Sequence, residues 1–216
     1  MNKQTLKNFA AAGLLLAAFL IFTALVQRID VQPIGPNGSR VGFAAVNGWF
    51  HALTGVHWTL YVLTDRLELV SIGIAFCFGV MGLLQLIRRQ SLCKVDRSIL
   101  ILGGFYLTVI GIYLLFNVYV VNYRPVLIEN VLEASYPSST TVLVLCVHVT
   151  AMMQLCDRMP RGAVRTLVLW LLGAFTVLMV LARLISGVHW LTDIVGGILL
   201  SAALIAFYRA AVSATI

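Results

Sequence analysis

Residues 98–123 read SILILGGFYLTVIGIYLLFNVYVVNY and contain no Asp, Glu, Lys or Arg. An α-helix needs about 20 consecutive, predominantly apolar residues to cross the hydrocarbon core of a bilayer. The stretch meets this requirement, and it therefore predicts a transmembrane helix rather than a helix of a water-soluble domain.

Uncharged stretches of similar length recur along the chain of 216 residues. They lie at 8–27, 41–64, 69–87, 134–156 and 166–182, and a last stretch at 184–208 is interrupted only by Asp193. Charged residues make up 11% of the chain, whereas a soluble domain carries roughly 25%. This composition excludes a soluble enzyme, a disordered chain and a secreted disulfide scaffold. It predicts an all-α, polytopic integral membrane protein that forms a single domain over residues 1–216.

The stretch at 41–64 differs from the others because histidine, asparagine and tryptophan are interleaved in it. This mixture favours the membrane interface over the hydrocarbon core. We therefore expect an interfacial helical segment at 41–64, inside a first outer connection at 28–68, and six transmembrane helices in all. The tetrapeptide Gly-Val-His-Trp at 55–58 recurs at 187–190, a match short enough to arise by chance.

The net charge of +7 follows from the topology and does not indicate a nucleic-acid partner. Six crossings place both termini on one side, together with most of the 15 Lys and Arg residues. The basic residues left on the other side are Arg28, Arg40, Arg66, Arg124 and Arg183. Because cytoplasmic loops are enriched in Lys and Arg, we expect cytoplasmic termini in a bacterial plasma membrane. The sequence carries no pattern that indicates an oligomeric state.

The cysteines do not indicate metal binding. The chain has four, none in a Cys-x-x-Cys pair, and three lie within apolar runs. Such cysteines act as small apolar side chains. No cluster of potential metal ligands is visible in the sequence, which therefore predicts neither a metal nor a cofactor.

Three polar patches fall at the outer ends of the last four predicted spans. They are Asn122–Pro125, Tyr136–Thr141 and Arg183–Asp193. Charges in or beside a transmembrane helix are costly unless they are paired or solvated, so each patch is a candidate functional site. The topology brings all three to one face of the membrane, and we expect them to form a single site.

His189 and Asp193 form the first pair of candidate catalytic residues. They are four residues apart, which places them on one helix face if the last span begins near 189. A carboxylate there can hold one imidazole nitrogen and leave the other free as a nucleophile. The same spacing also fits a purely structural lock between the two side chains.

The remaining candidate residues suit a phosphate. Arg124 and Arg183 offer planar, forked donors that match phosphate oxygens. Ser138, Ser139 and Thr140 read as the start of a helix, whose free N–H groups favour an anion. A single arginine at the end of a span can also be a snorkelling anchor. The sequence predicts that these residues hold a phosphate beside His189.

At this point the chain resembles the type 2 phosphatidic acid phosphatase family, a group of membrane lipid phosphatases. The family's third motif, Ser-Arg-x5-His-x3-Asp, is matched by Ala182-Arg183-x5-His189-x3-Asp193. Its first motif, Lys-x6-Arg-Pro, keeps Arg124 and Pro125, but Asn117 stands at the lysine position. The resemblance covers residues 98–209.

The second motif, Pro-Ser-Gly-His, is the most altered, because Pro137 and Ser138 are followed by Ser139 and Thr140. The resemblance implies that His189 forms a phosphohistidine, that Asp193 orients it, and that the two arginines bind phosphate. The second-motif histidine is the family's general acid, and a hydroxyl cannot do that work at neutral pH. Candidate substitutes are His57, His51, His148, Glu129 and Glu133, each of which also has an ordinary structural or surface explanation.

The sequence therefore predicts a membrane-embedded lipid phosphatase. Its substrate would be a phosphomonoester or diphosphate of a lipid, such as a polyprenyl diphosphate, phosphatidic acid or phosphatidylglycerophosphate, and its other partners are membrane lipids. One alternative is a catalytically impaired relative that binds phospholipid head groups. Another is a phosphotransferase that passes the phosphoryl group from one lipid to another.

Overall fold

The computed structural model describes residues 3–215, and within that range it is built of helices with no strand longer than an isolated bridge. The helices are α1 Lys3–Val26, α2 Ala44–Thr54, α3 Trp58–Arg89, α4 Arg97–Val118, α5 Ser139–Arg158, α6 Ala163–Ile185 and α7 Leu191–Ser213. Six helices of the described chain, all except α2, are long and apolar enough to cross a membrane. The predicted all-α fold with six spans is confirmed.

The first long connection is shorter than predicted. It ends at His57, and residues 58–68, assigned to the connection from the sequence, form the first turns of α3. These turns carry charged and polar side chains, which hydropathy excludes from a span. They are accommodated because some of them face neighbouring helices, as Thr64 does towards Arg183. The interfacial segment is the short helix α2, which stops at Gly55, a residue with φ +66°.

Helices α5 and α7 form the centre of the bundle. In their most apolar windows 56% of the residues are buried, against 11–22% in the other four spanning helices. Helix α7 packs against α1 and α5, and α5 also packs against α3 and α6. Residues near the start of α5 and α7 are therefore enclosed on several sides. A site in this region can be shielded from water.

The far end of the bundle is held by an ionic cluster around Asp96, which precedes α4. Its carboxylate accepts hydrogen bonds from Arg89 at 2.9 Å and from Arg158 and Gln85 at 3.0 and 2.9 Å. The hydrogen bonds from Arg158, Arg89 and Gln85 lower the pKa of Asp96 to about 2. Because α3 and α5 both end here, this cluster and the starts of those helices lie at opposite ends of the bundle. We call the end where α3, α5 and α7 begin the site end.

Candidate active site

The loop between α6 and α7 carries His189 and is pressed against the loop that precedes α3. Gly187 has φ +70°, and a Cβ atom placed on it would lie 1.8 Å from the carbonyl oxygen of Gly55. The N–H of His57 donates to the carbonyl of Ser186 at 2.9 Å. The two copies of Gly-Val-His-Trp thus contact each other, and each leads into a spanning helix. Their contact holds the start of α3 beside His189.

His189 does not lie on α7, contrary to the helical placement expected from its spacing to Asp193. The helix begins at Leu191, so His189 is in the preceding loop. Its Nδ1 is still 3.6 Å from Asp193 Oδ2, longer than a hydrogen bond, and both side chains are buried. Asp193 is held in place because Oδ2 accepts from the Trp190 N–H at 2.9 Å and Oδ1 from Asn122 at 3.4 Å. The carboxylate is thus oriented towards the imidazole by the turn that starts α7.

Arg124 defines the protonation of the imidazole. Its Nη1 lies 3.1 Å from His189 Nε2. A guanidinium can only donate, so Nε2 must accept with its lone pair, and the proton of neutral His189 is on Nδ1, facing Asp193. Burial, with the positive charges of Arg124 and Arg183, holds the pKa of His189 well below its usual value. The imidazole is therefore neutral and has its nucleophilic nitrogen directed at an arginine.

Both arginines lie close to the ring of Tyr61. The guanidinium carbons of Arg183 and Arg124 are 4.9 and 5.9 Å from the centre of its ring. Arg183 donates to Thr64 Oγ1 at 3.1 Å, and Arg124 Nε lies 3.0 Å from a carboxylate oxygen of Glu133. Both arginines are buried.

The Nε donor of Arg183, unlike that of Arg124, forms neither a hydrogen bond nor an ion pair in the described structure. This nitrogen is buried. Buried donors are normally satisfied, so an open donor beside a second buried cation fits an anion such as phosphate.

The residues predicted to open α5 lie beside this cluster. Ser138 is the N-cap, and its Oγ accepts from the hydroxyl of Thr141 at 3.0 Å. Its N–H donates to the carbonyl of Asp193 at 3.0 Å, which ties the start of α5 to the start of α7. The hydroxyl of Thr140 donates to Glu68 Oε2 at 2.8 Å. The three sequence-distant patches therefore meet at one end of the bundle, as expected.

A cavity of about 480 Å³ opens between α3, α4 and α5 and reaches His189. This volume lies within the usual range for small-molecule sites. Apolar side chains supply most of its wall, and its polar lining includes Glu68, Ser139, Ser135, Asn117 and His189. Asn117, at the family's lysine position, donates its amide to the carbonyl of Tyr113 at 2.9 Å. The cavity thus leads between largely apolar walls to the imidazole of His189.

Three residues of this site, all on α3, are not among those predicted from the sequence. Tyr61, Thr64 and Glu68 are spaced at i, i+3 and i+7, so they share one face of the helix. That face meets both arginines and Thr140. The spacing was readable in the sequence, but residues 58–68 were assigned to a connection, where helical periodicity has no meaning.

The candidate substitutes for the missing histidine do not line the cavity that reaches His189. His57 is exposed, with its Nε2 2.8 Å from the carbonyl of Thr54. His51 packs against Trp190, and burial lowers its pKa. His148 is the hydrogen-bonded core residue expected, with Ser71 and Thr176 at 3.0 and 2.9 Å on its ring nitrogens. Glu133 pairs with Arg124, and Glu129 lies in a turn with φ +49°.

Comparison with solved structures agrees with this fold. A structure titled as the first transmembrane PAP2 type phosphatidylglycerolphosphate phosphatase from Bacillus subtilis superposes with a TM-score of 0.55. The two chains are 21% identical, and the match covers 92% of this chain and 94% of that one. This likeness supports the fold, and with the six apolar helices it identifies an integral membrane protein.

No curated protein matches the chain. The model of the PAP2 superfamily, however, matches residues 71–215, a region that contains all three motif positions and the last four spanning helices. The family resemblance drawn from Arg183, His189 and Asp193 is therefore confirmed. The chain belongs to the PAP2 superfamily.

Proposed function

We propose that the protein is a membrane-embedded lipid phosphatase that acts through a phosphohistidine on His189. The observation that carries this proposal is the 3.1 Å contact between Arg124 Nη1 and His189 Nε2. It fixes the neutral tautomer and directs the lone pair of Nε2 at the group that would bind a phosphoryl oxygen. Phosphoryl transfer needs chiefly such positioning and neutralisation of charge.

The reaction would proceed in two displacements. A phosphoryl group inserts between Arg124 and Arg183, and Nε2 of His189 attacks phosphorus as the bond to the lipid oxygen breaks. The Nδ1–H, facing Asp193, becomes part of a cationic ring that the carboxylate stabilises. Water then attacks phosphorus, the N–P bond breaks, and its electron pair returns to Nε2 as inorganic phosphate leaves. Ser138, Ser139 and Thr140 border the phosphate from the start of α5.

The substrate class follows from the cavity. Its walls are largely apolar and it ends at the imidazole, which suits a lipid chain whose phosphate head reaches the arginines. Candidates are phosphatidic acid, a polyprenyl diphosphate and phosphatidylglycerophosphate. The structural neighbour, a phosphatidylglycerolphosphate phosphatase, favours the last. The distribution of Lys and Arg supports a bacterial plasma-membrane protein with its termini in the cytoplasm and its site at the outer leaflet.

A second candidate function is head-group binding without turnover. Two positions favour it: Asn117 supplies no positive charge and bonds to its own helix, and Thr140 supplies no general acid. A third candidate is phosphoryl transfer to a second lipid from the same phosphohistidine. These alternatives share the phosphate site and differ in the fate of the phosphoryl group once the lipid is bound.

The deciding experiment is phosphate release by the purified protein in detergent across a panel of lipid phosphates and diphosphates. We expect release from at least one lipid, loss of it in His189→Gln, and an alkali-stable phosphoprotein from radiolabelled substrate in the wild type only. Binding without release would favour the head-group binder. Label recovered in a second lipid would favour the transferase, and full activity of His189→Gln would exclude the phosphohistidine.

A further inference from the structure

We propose that Glu68 carries the proton in this reaction, in the role that the missing second-motif histidine leaves vacant. The inference rests on the proposed phosphatase function. Glu68 lies on α3, outside all three motifs and before residue 71, where the family match begins. No motif therefore assigns it a role.

The contact with Thr140 places Glu68 at the right position. Thr140 occupies the motif position of the general acid, and its buried hydroxyl donates to Glu68 Oε2 at 2.8 Å. The carboxyl group is thus one hydrogen bond away from the place where a histidine would stand. Thr140 orients the carboxyl group in this arrangement, and Glu68 supplies the exchangeable proton.

Glu68 also lines the same cavity as His189 and Ser139. It is partly buried, and it interacts electrostatically with Arg183. A carboxylate in a spanning helix is costly and marks a functional position unless it is fully paired. Of the neighbouring acidic residues, Asp65 is exposed and lies outside the cavity lining, and Glu133 is engaged by Arg124.

Glu68 gives up one proton and regains one proton in each turnover. As Nε2 of His189 attacks and the phosphorus–oxygen bond breaks, the lipid oxygen takes the electron pair and receives the proton of the Glu68 carboxylic acid. The resulting carboxylate, held by the Thr140 hydroxyl, then accepts a proton from the water that attacks the phosphohistidine. Release of phosphate leaves Glu68 protonated again and His189 neutral, so no further reactant is needed.

The test compares kcat/KM for two substrates that differ in their leaving group. When departure of the leaving group is irreversible, kcat/KM reports the first displacement alone. An alkyl phosphate releases a basic alkoxide that needs a proton, whereas p-nitrophenyl phosphate releases a phenolate that does not. We expect Glu68→Gln to lower kcat/KM for the alkyl phosphate by about 10²- to 10⁴-fold. The loss with the aryl phosphate should be less than about tenfold, because no proton transfer is removed.

Asp65→Asn is the matched control, since it removes the same charge from the same helix and Asp65 also interacts with Arg183. It should lower kcat/KM only slightly, and by the same factor for both substrates. Thr140→Val should also lower kcat/KM more for the alkyl phosphate than for the aryl phosphate, but by a smaller factor than Glu68→Gln does. Equal losses on both substrates in Glu68→Gln, or none, would overturn the role of Glu68.

Two further readouts keep the proposal testable. If Glu68→Gln does not fold, Thr140→Val decides: a larger loss with the alkyl phosphate than with the aryl phosphate supports the proposal, and equal losses overturn it. If the wild type releases phosphate from no lipid, the proposed function fails and this inference fails with it. That outcome is distinct from an active wild type with an indifferent Glu68→Gln variant.

Discussion

Arg124 Nη1 lies 3.1 Å from His189 Nε2, and both groups are buried at the site end. The arginine thus holds the nucleophile in one tautomer before any substrate is bound. In the proposed reaction a phosphoryl group enters between the two side chains, and Arg124 donates to a charged phosphate oxygen in place of the neutral imidazole. The same guanidinium then stabilises the charge of the transferring group.

This dual role predicts that Arg124→Lys is strongly impaired although the charge is kept. Lysine is a point charge without the planar fork, so it cannot contact the imidazole and the phosphate in the same geometry. We expect kcat/KM for the lipid substrate to fall by about 10²- to 10³-fold. Arg161→Lys, at an exposed position in the α5–α6 connection, is the control and should be unchanged. Equal activity of the two variants would contradict the role of the fork.

Asp193→Asn should impair nucleophilic attack by His189, although the side chain keeps its size and shape. The amide can keep an oxygen for the Trp190 N–H, but it removes the negative charge that would stabilise the cationic ring formed when Nε2 attacks phosphorus. We expect a loss of activity on the order of 10²- to 10⁴-fold. The measurement is phosphate release together with the yield of phosphohistidine. Asp157→Asn, the same change at the far end of α5, should be neutral, and a fully active Asp193→Asn would show that the carboxylate only packs.

The lowered pKa of His189 predicts the acid side of the pH profile. Only the neutral ring is a nucleophile, so kcat/KM should hold as the pH falls through 6.5, the ordinary value, and decline only below it. Arg183→Gln removes one of the charges that lower this pKa, so the ring gains its proton more easily and the limb moves to higher pH. The substrate's second ionisation, near pH 6, is common to both enzymes and cancels in the comparison. A limb that stays in place in Arg183→Gln would contradict this electrostatic coupling.

The parts of the site that were predictable from sequence are those with a strong local pattern. Uncharged runs such as 98–123 indicate spans because a bilayer tolerates little else. Topology alone predicts that Arg124 and His189 lie together, because Arg124 follows one span and His189 precedes another at the same end of the bundle. These patterns need no knowledge of packing.

The face of α3 was not predictable by the same means. Tyr61, Thr64 and Glu68 stand among charged residues, and hydropathy treats such a segment as a loop. Their place in a helix depends on partners more than 50 residues away, Arg183 and Thr140, which offset the cost of polar groups in a span. The sequence pattern also does not show where α7 begins. Gly187 turns the chain with φ +70°, and the helix starts only at Leu191.

Gly187 supplies the last prediction, because two separate penalties apply to a side chain there. Its φ of +70° disfavours any L-residue, and its Cβ would lie 1.8 Å from the carbonyl oxygen of Gly55. Gly38 has φ +72° and nothing within 4 Å of the same position, so Gly38→Ala isolates the first penalty, about 1–2 kcal/mol.

Gly187→Ala should therefore lower the Tm in detergent by clearly more than Gly38→Ala does. It should also reduce kcat/KM, because relief of the clash displaces the loop that carries His189, and a shift of about 1 Å can cost on the order of 10²-fold. Gly38→Ala should retain activity. The same Tm and the same activity in both variants would mean that the contact between the two Gly-Val-His-Trp segments does not position the nucleophile.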